Sequence, residues 1–456
     1  MPLLSLLSRE LGLAHLRTAH STRDLALLYV SRFIRIMGFG AFAPVLILFL
    51  RAVGVSDERV GFFLSATLAG DVLVSLLVTW TADKVGRRNM IALGSLLMGA
   101  SGVAFYLSSN FYVLLAAAIV GIISPTGNET GPFSALEQAA LSQLTVPESR
   151  VYVLLWHQVL GFAGISAGNI ATSLLTSTAE KAGKTGSDIL RPVFALYAGI
   201  SIVKVFLSFA MTKAVEVDHP PFPDRSVANR VEQDSERQPL LQDNDAPPAS
   251  ATSSLQAAAV EQAPVQAHFP LGRLVALCLI FGLDSFASSL APLAFISYYF
   301  RSQLAAPLSL ITHVFSVTAL IGCASQLLAG SVAKRLGIIP TMVATHMPAQ
   351  VFTIIMAFAP SLPLAVTFFI ARACIASMDS SVRGAFLAAV IPKESRTRFL
   401  GIINISKTLA STPGPTLALG LAALGGMRWV FVITGSLKLI YDVTLFIGFK
   451  TAQLEH

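Results

Sequence analysis

Apolar stretches of about 20 residues, long enough for a helix to cross about 30 Å of hydrocarbon, follow one another along almost the whole chain. Short segments that hold most of the charged residues separate them. Each stretch predicts a membrane-spanning helix, and the predicted fold class is an all-α polytopic membrane protein embedded in a lipid bilayer. We predict twelve such helices, at residues 24–50, 59–81, 89–108, 111–140, 150–174, 190–212, 270–300, 307–332, 339–359, 362–390, 399–422 and 427–449.

One polar segment, residues 213–269, divides the apolar pattern. Its composition changes to Pro, Asp, Glu, Gln, Ser and Ala, which cannot bury enough apolar surface to become ordered. We expect a disordered linker between two six-helix bundles at residues 24–212 and 270–449. Short tails are expected at residues 1–23 and 450–456.

The two halves repeat one another in their loops. PESR at residues 147–150 follows the fourth predicted helix, and KESR at residues 393–396 follows the tenth, 246 positions later. Likewise ADKVG at residues 82–86 is matched by AKRLG at residues 333–337, at an offset of 251. Two matches at nearly the same offset indicate a duplicated six-helix unit.

Composition agrees with a membrane protein and excludes several function classes. Hydrophobic residues make up 54% of the chain and charged residues only 12%, about half the charged share of a soluble domain. The net charge of +7 comes from basic residues at the ends of the predicted helices, which suits cytoplasmic termini and no nucleic-acid binding. The three cysteines are widely separated, so no metal site is predicted. No cofactor motif, ATP-binding loop or catalytic set is evident, and we expect no enzyme activity.

The segment TWTADKVGRR at residues 79–88 is the most informative motif. With the repeat and the linker, it resembles the signature of the major facilitator superfamily, G-x-x-x-D-[RK]-x-G-R-[RK], although Thr79 replaces the first glycine. RFIR at residues 32–35, GNETGPF at 127–133 and SMD at 377–379 resemble a microbial and fungal branch of mostly unassigned substrate. The resemblance implies two pseudo-symmetric six-helix bundles, the major facilitator fold.

The same resemblance implies a cytoplasmic gate in this motif. Asp83 would cap the positive end of the eleventh helix in the outward-open state, where a carboxylate is stabilising. Gly86 would form the turn, and Arg87 and Arg88 would pair with acids on neighbouring helices. The alternative is that Arg87 and Arg88 only orient the chain in the membrane.

Several charges inside the predicted helices need partners or a task, because each costs about 2.5 to 3.5 kcal/mol near the bilayer centre. Arg32 and Arg35 share a helix face, and Asp71 lies at a depth similar to that of Arg35. A buried Arg35–Asp71 ion pair is one interpretation. The other is that an arginine binds an anionic substrate or that Asp71 exchanges protons.

The second half holds Asp284 in the seventh predicted helix and three charges on the tenth. Arg372, Asp379 and Arg383 are spaced by about two and three helical turns and so predict one stripe. Asp379 and Arg383 can neutralise each other at the i, i+4 spacing. Alternatively the stripe faces a central cavity, where Asp379 titrates and Arg372 binds charge.

Glu137 and Arg383 occupy equivalent positions of the repeat, each thirteen residues before an arginine. They predict a gate pair at the cytoplasmic mouth, with separate local partners, such as Arg87 for Glu137, as the alternative. Glu129 lies in a Pro- and Gly-rich stretch that predicts an interrupted helix, a frequent feature of transporter binding sites. Three histidines, His157, His313 and His346, are candidates for proton relay or for simple hydrogen bonding.

In the linker, Glu236, Leu240 and Leu241 match an acidic dileucine sorting motif, which predicts a sorting adaptor as partner. The predicted location is the plasma membrane or a vacuolar or endosomal membrane.

The predicted function is secondary active transport of a small-molecule substrate by alternating access. Proton coupling is expected, and efflux of an organic anion, metabolite or toxic compound is one form. The alternative is a substrate sensor that uses a transporter scaffold without transporting. A monomer is expected.

Overall fold

The computed structural model describes residues 16, 21–121, 132–146, 149–216, 270–391 and 396–449, without the side chains of residues 79, 80, 83, 132, 334, 380, 381, 385, 388, 389 and 396–398. These residues form helices joined by short turns. The first half contains α1 to α8: Thr22–Phe42, Leu46–Ala52, Asp57–Val85, Arg87–Leu107, Phe111–Val120, Pro132–Leu144, Arg150–Lys181 and Arg191–Ala210. The second half contains α9 to α17: Leu271–Leu290, Leu293–Gln303, Leu308–Leu336, Ile338–Ala357, Leu362–Ala376, Met378–Val390, Arg396–Ser411, Gly414–Ala423 and Met427–Phe449.

The all-α membrane fold predicted from the sequence is confirmed. Nine described segments are long and apolar enough to cross a membrane, and α5 and α13 are shorter apolar helices. The total of twelve stays a prediction. Structure extends beyond the predicted end of the first bundle, because Lys213–Val215 forms a 3₁₀ turn and Glu216 is also described. The rest of the linker, residues 217–269, lies outside the description.

The repeat inferred from two loops extends through the helices. Helix α3 and helix α11 are each 29 residues long and start 251 positions apart, at Asp57 and Leu308. Each ends at a glycine in the left-handed region, Gly86 with φ 92° and Gly337 with φ 89°. That backbone geometry favours glycine because it has no Cβ. The conserved spacing and turn geometry support a duplicated unit.

Small residues bring helices into close contact within the first half. A Cβ on Gly168 would lie 2.1 Å from the Met37 carbonyl oxygen, and one on Gly40 would lie 2.5 Å from the Ile165 carbonyl oxygen. Helices α1 and α7 therefore meet backbone to backbone, a packing mode that membrane proteins use where hydrophobic burial offers little.

The halves meet at the end of the molecule away from the described chain ends, which we call the far side. There Ser166 and Ser316 hydroxyls are 2.6 Å apart, the Tyr298 hydroxyl donates to Asp57 at 3.0 Å, and Thr416 binds Ser65. One apolar core on this side includes residues of both halves.

The opposite end, which we call the terminal side, holds the beginning of α1 and the ends of α8 and α17. Its buried apolar residues form separate clusters that each belong to one half, one of them around Phe281 and another around Leu141. The halves are therefore packed together on the far side and have separate cores on the terminal side.

Candidate functional site

A buried ion pair joins α1 to α6 in the first half. Arg35 Nη2 lies 2.8 Å from Glu137 Oε2, and Glu137 is fully buried. His157 Nε2 on α7 lies 3.3 Å from the same carboxylate oxygen.

Two more basic residues lie close to this pair. Lys204 on α8 is 2% exposed and interacts electrostatically with Glu137. Arg32, one turn before Arg35, binds the Ser134 hydroxyl and the Gln158 side-chain oxygen.

Among the described residues, this cluster holds more basic than acidic side chains. Arg32, Arg35 and Lys204 are basic, and Glu137 is the acid that they surround. Buried charge of one sign is costly unless it is compensated. Glu137 is therefore the described acid that compensates these buried cations.

A corresponding network lies in the second half. Asp284 on α9 accepts hydrogen bonds from Arg383 Nη1 at 2.7 Å and from Lys438 Nζ at 2.8 Å. Arg383 also pairs with Asp379 one turn earlier on α14. Its guanidinium carbon lies 5.6 Å from the ring centroid of Phe281, within range of a cation–π interaction.

The two ion pairs occupy equivalent places with their charges exchanged. Arg35 is the fourteenth residue of α1 and Asp284 the fourteenth of α9. Glu137 is the sixth residue of α6 and Arg383 the sixth of α14. The first pair joins α1 to α6 and the second joins α9 to α14 at equivalent positions. The arginine and the acid are exchanged between the two halves.

A histidine–carboxylate pair lies near the second network. His346 Nδ1 on α12 lies 2.8 Å from Asp442 Oδ1 and 3.0 Å from Oδ2 on α17. Both residues are at least nine-tenths buried. The pair joins α12 to α17 inside the second half.

One ion pair expected from the sequence is wrong. Arg35 binds Glu137 and not Asp71, because similar depth on two helices does not decide which faces meet. Glu137 and Arg383 each bind partners in their own half in this structure, where the two halves have separate cores on the terminal side. A gate pair between them that forms when that side closes stays a prediction.

Asp71 and Arg372 differ from the other charges of the site. Asp71 is 3% exposed, has no ion pair among the described residues, and its Oδ1 accepts no hydrogen bond there. Arg372 has a buried Nε that likewise donates to no described atom. The predicted stripe on the tenth span is divided, because α13 ends at Ala376 and α14 begins at Met378. Asp379 and Arg383 form their own pair, and Arg372 stays apart from it.

A cavity of about 270 Å³ lies between the halves, next to Arg372. Its lining is mostly apolar and comes from α7, α10, α11 and α13, with Phe162, Phe315 and Phe369 supplying aromatic rings. Arg372 is the charged residue of the lining. A smaller chamber of about 70 Å³ on the other side of Arg372 lies inside the second half.

The motif at residues 79–88 organises the terminal side of the first half. The Glu216 carboxylate accepts from the backbone amides of Arg87 at 2.7 Å and Arg88 at 3.2 Å, so it caps the start of α4. The Arg88 side chain donates to the Met211 carbonyl oxygen at 2.9 Å. The arginines thus hold the segment after α8 through these bonds, and their pairing with acids on neighbouring helices stays a prediction. The Asp83 side chain lies outside the described part of the structure, so its predicted capping of the eleventh helix stays a prediction.

Other predicted site residues also lie outside the described part of the chain. These are Glu129 and the dileucine residues Glu236, Leu240 and Leu241. In contrast, the structure brings forward four charged residues that were not predicted: Lys204, Glu216, Lys438 and Asp442. Lys204, Lys438 and Asp442 interrupt apolar stretches, and a charge in such a stretch can be recognised from the sequence.

Comparison with known proteins agrees with this architecture. The family model of the Major Facilitator Superfamily matches residues 28–347 and 274–453. The chain is 29% identical over 432 residues to the uncharacterized membrane protein YJR124C of Saccharomyces cerevisiae, covering 93% of this chain and 94% of that protein.

Two solved structures share the fold. A D-xylose–proton symporter superposes with a TM-score of 0.68 at 14% identity and covers 93% of this chain and 97% of its own. A bacterial homologue of the human lysosomal transporter Spinster, in an inward-facing and occupied conformation, has a TM-score of 0.65 at 14% identity. It covers 94% of this chain and 96% of its own.

Proposed function

The chain belongs to the major facilitator superfamily, and we propose that it is a secondary active transporter that moves a small solute by alternating access. The observation that carries this proposal is the arrangement of the halves around the cavity. They share one apolar core on the far side and have separate cores on the terminal side. A rocking motion of two repeats about a central site would exchange these two arrangements.

The proposed energy source is a proton gradient, and we assign proton exchange to Asp71 and Asp442. Glu137, Asp284 and Asp379 each bind an arginine. Neither Asp71 nor Asp442 binds an arginine or a lysine among the described residues, and the partner of Asp442 is a histidine. Asp71 and Asp442 are therefore the two buried acids of the site whose described surroundings hold no ion pair with arginine or lysine.

Proton movement across reconstituted vesicles tests this assignment. We expect an inward pH gradient to drive solute flux in vesicles that contain the wild-type protein, and Asp71→Asn and Asp442→Asn each to uncouple the flux from the gradient. Asp188→Asn is the matched control, because Asp188 is an exposed acid bound to Arg191 on the far side. Its coupling should equal that of the wild type.

Two outcomes would overturn the proton assignment. In the first, both variants respond to the gradient as the wild type does. In the second, Asp188→Asn loses coupling equally. Counterflow of a labelled solute without any gradient separates transport itself from coupling, and it also separates a transporter from a sensor on the same scaffold.

Topology and location are part of the proposal. With both termini in the cytoplasm, as the basic loops favour, the terminal side faces the cytoplasm and the arrangement described is inward-facing. We propose a monomer in the plasma membrane or in a vacuolar or endosomal membrane, with the dileucine motif as the sorting signal. Direct fluorescence localisation of the full chain and of a Leu240→Ala, Leu241→Ala variant tests the last point.

A further inference from the structure

The lining of the central cavity restricts the kind of solute that fits it. Apart from Arg372, Thr318 and Ser377, the side chains around the cavity are apolar or small. A sugar or another solute with many hydroxyls would lose hydrogen bonds to water there, at a cost for each unpaired group. An aromatic or aliphatic body fits this lining instead.

The volume of the cavity also suits such a body. An apolar cavity of about 150 Å³ binds benzene in another protein, and the volume of about 270 Å³ found here is larger. Phe162, Phe315 and Phe369 present rings from three different helices. Aromatic rings of this kind are good partners for a flat apolar ligand.

Arg372 provides a cation at the boundary of the cavity and the adjoining chamber, and it lines both. Lys438 also lines the chamber, but its ammonium group binds Asp284 at 2.8 Å. Arg372 has no ion pair with any described acid. One positive charge is therefore available to a ligand, which favours a single negative charge over two.

The chamber holds further buried polar atoms that have no described hydrogen-bond partner. Thr434 Oγ1 and Gln350 Oε1 are such atoms, in residues that are 4% and 1% exposed. Both residues line the chamber together with Arg372. Buried polar atoms without partners are uncommon, and two in one chamber indicate a site for a polar group. The Thr434 hydroxyl can donate to an anion, whereas the Gln350 oxygen can only accept a hydrogen bond.

We propose that these two spaces form one binding site for an amphipathic organic monoanion. Its carboxylate lies in the chamber, where Arg372 and the Thr434 hydroxyl donate hydrogen bonds to it. Its aromatic or aliphatic body lies in the cavity between the halves. The chamber, at about 70 Å³, is too small for a benzene ring by the comparison above and large enough for the charged group. This inference names the substrate class and rests on the proposed transport function.

Binding to the purified full-length protein tests the site without requiring transport. The probes are benzoate, phenylacetate and 4-phenylbutyrate, each measured against its neutral amide and against acetate by the ligand-dependent rise in melting temperature. We expect at least one aryl carboxylate to stabilise the protein saturably, because a ligand that binds only the folded state raises its stability. The amides and acetate should not do so.

The variants test the two donors. A hydrogen bond to a charged group contributes enough that Arg372→Gln should weaken carboxylate binding by about 10-fold to 160-fold. Thr434→Val, which keeps the side-chain shape, removes a hydrogen bond to the same charged carboxylate and should also weaken binding by about 10-fold to 160-fold. Arg428→Gln is the matched control, because it removes an exposed arginine at the start of α17 that lines neither space. If Arg372→Gln does not fold, Thr434→Val and Arg372→Lys still test the site.

The outcomes separate this inference from the proposed function. Binding of an aryl carboxylate that depends on Arg372, with no counterflow of that compound, supports the site and contradicts transport. Counterflow of a neutral or cationic solute that none of the carboxylates inhibits supports transport and overturns the monoanion site. Equal stabilisation by acids and amides, or no stabilisation by any acid, also overturns it.

Discussion

Removing Glu137 should destabilise the first half more than removing Glu137 and Arg35 together. In Glu137→Gln, the guanidinium of Arg35 stays in the membrane without the carboxylate that lies 2.8 Å away, next to Arg32 and Lys204. Breaking a buried ion pair at one partner costs about 3 to 5 kcal/mol in the free energy of unfolding, because the other charge is left uncompensated. Glu137 is fully buried, so solvent does not relieve the cost.

The double variant Arg35→Gln, Glu137→Gln removes both charges and leaves neutral groups that can bond to each other. We expect it to recover at least about 2 kcal/mol of the single-variant loss, since replacing both members of a buried pair is often nearly neutral. Arg32 and Lys204 remain without the acid, so recovery should be partial. The equivalent cycle with Asp284→Asn and Arg383→Gln should give the same ordering.

The assay is equilibrium unfolding of detergent-purified variants in a denaturant series, read by tryptophan fluorescence, with the coupling energy taken from the four proteins of the cycle. A coupling energy below about 0.5 kcal/mol would refute the reasoning, because additive effects of this size are those of independent sites. So would a double variant less stable than Glu137→Gln.

Three further predictions follow from the packing and the terminal side. Gly86→Ala should lower stability by about 1 to 3 kcal/mol, because the backbone at φ 92° disfavours a side chain and the new Cβ would meet the Glu216 carboxylate at 3.0 Å; thermal melting checks it, and a variant as stable as the wild type would contradict it. Glu216→Gln should increase proteolysis after residue 216 and exchange of the amide hydrogens at the start of α4, since the carboxylate binds two backbone amides there; unchanged exchange would speak against the cap. Gly168→Leu should prevent correct folding, because its Cβ would lie 2.1 Å from a backbone oxygen of α1, whereas Gly448→Leu, with open space around it, should be tolerated; equal yields of monodisperse protein would contradict this.

The sequence was sufficient for the architecture because the relevant signals are local or periodic. The length of the apolar stretches identified the helices. Two short loop matches predicted a duplication, and the equal lengths of α3 and α11 support it. The site was predicted only in part. Arg35, Glu137, Asp284 and Arg383 were identified as charges that need partners, but their pairing depends on helix rotation, which depth along a helix does not fix.

The repeat itself constrains the pairing. Arg35 and Asp284 are equivalent in the two halves, as Glu137 and Arg383 are, so an ion pair in one half implies the reversed pair in the other. Lys438 and Asp442 were visible as charges in the last apolar stretch. The side chamber beside Arg372 was not predictable, because it is formed by residues from α9, α10, α12, α13 and α17 that only folding brings together.

Cross-linking of the far side during transport tests the central claim of alternating access most directly. Ser166 and Ser316 contact one another across the two halves at 2.6 Å, and cysteines at these positions, in a variant without the three native cysteines, should form a disulfide. In proteoliposomes preloaded with an unlabelled aryl carboxylate, we predict transient accumulation of the labelled compound by the reduced protein, loss of accumulation on oxidation, and recovery on reduction. Accumulation that continues with the far side cross-linked would contradict the account.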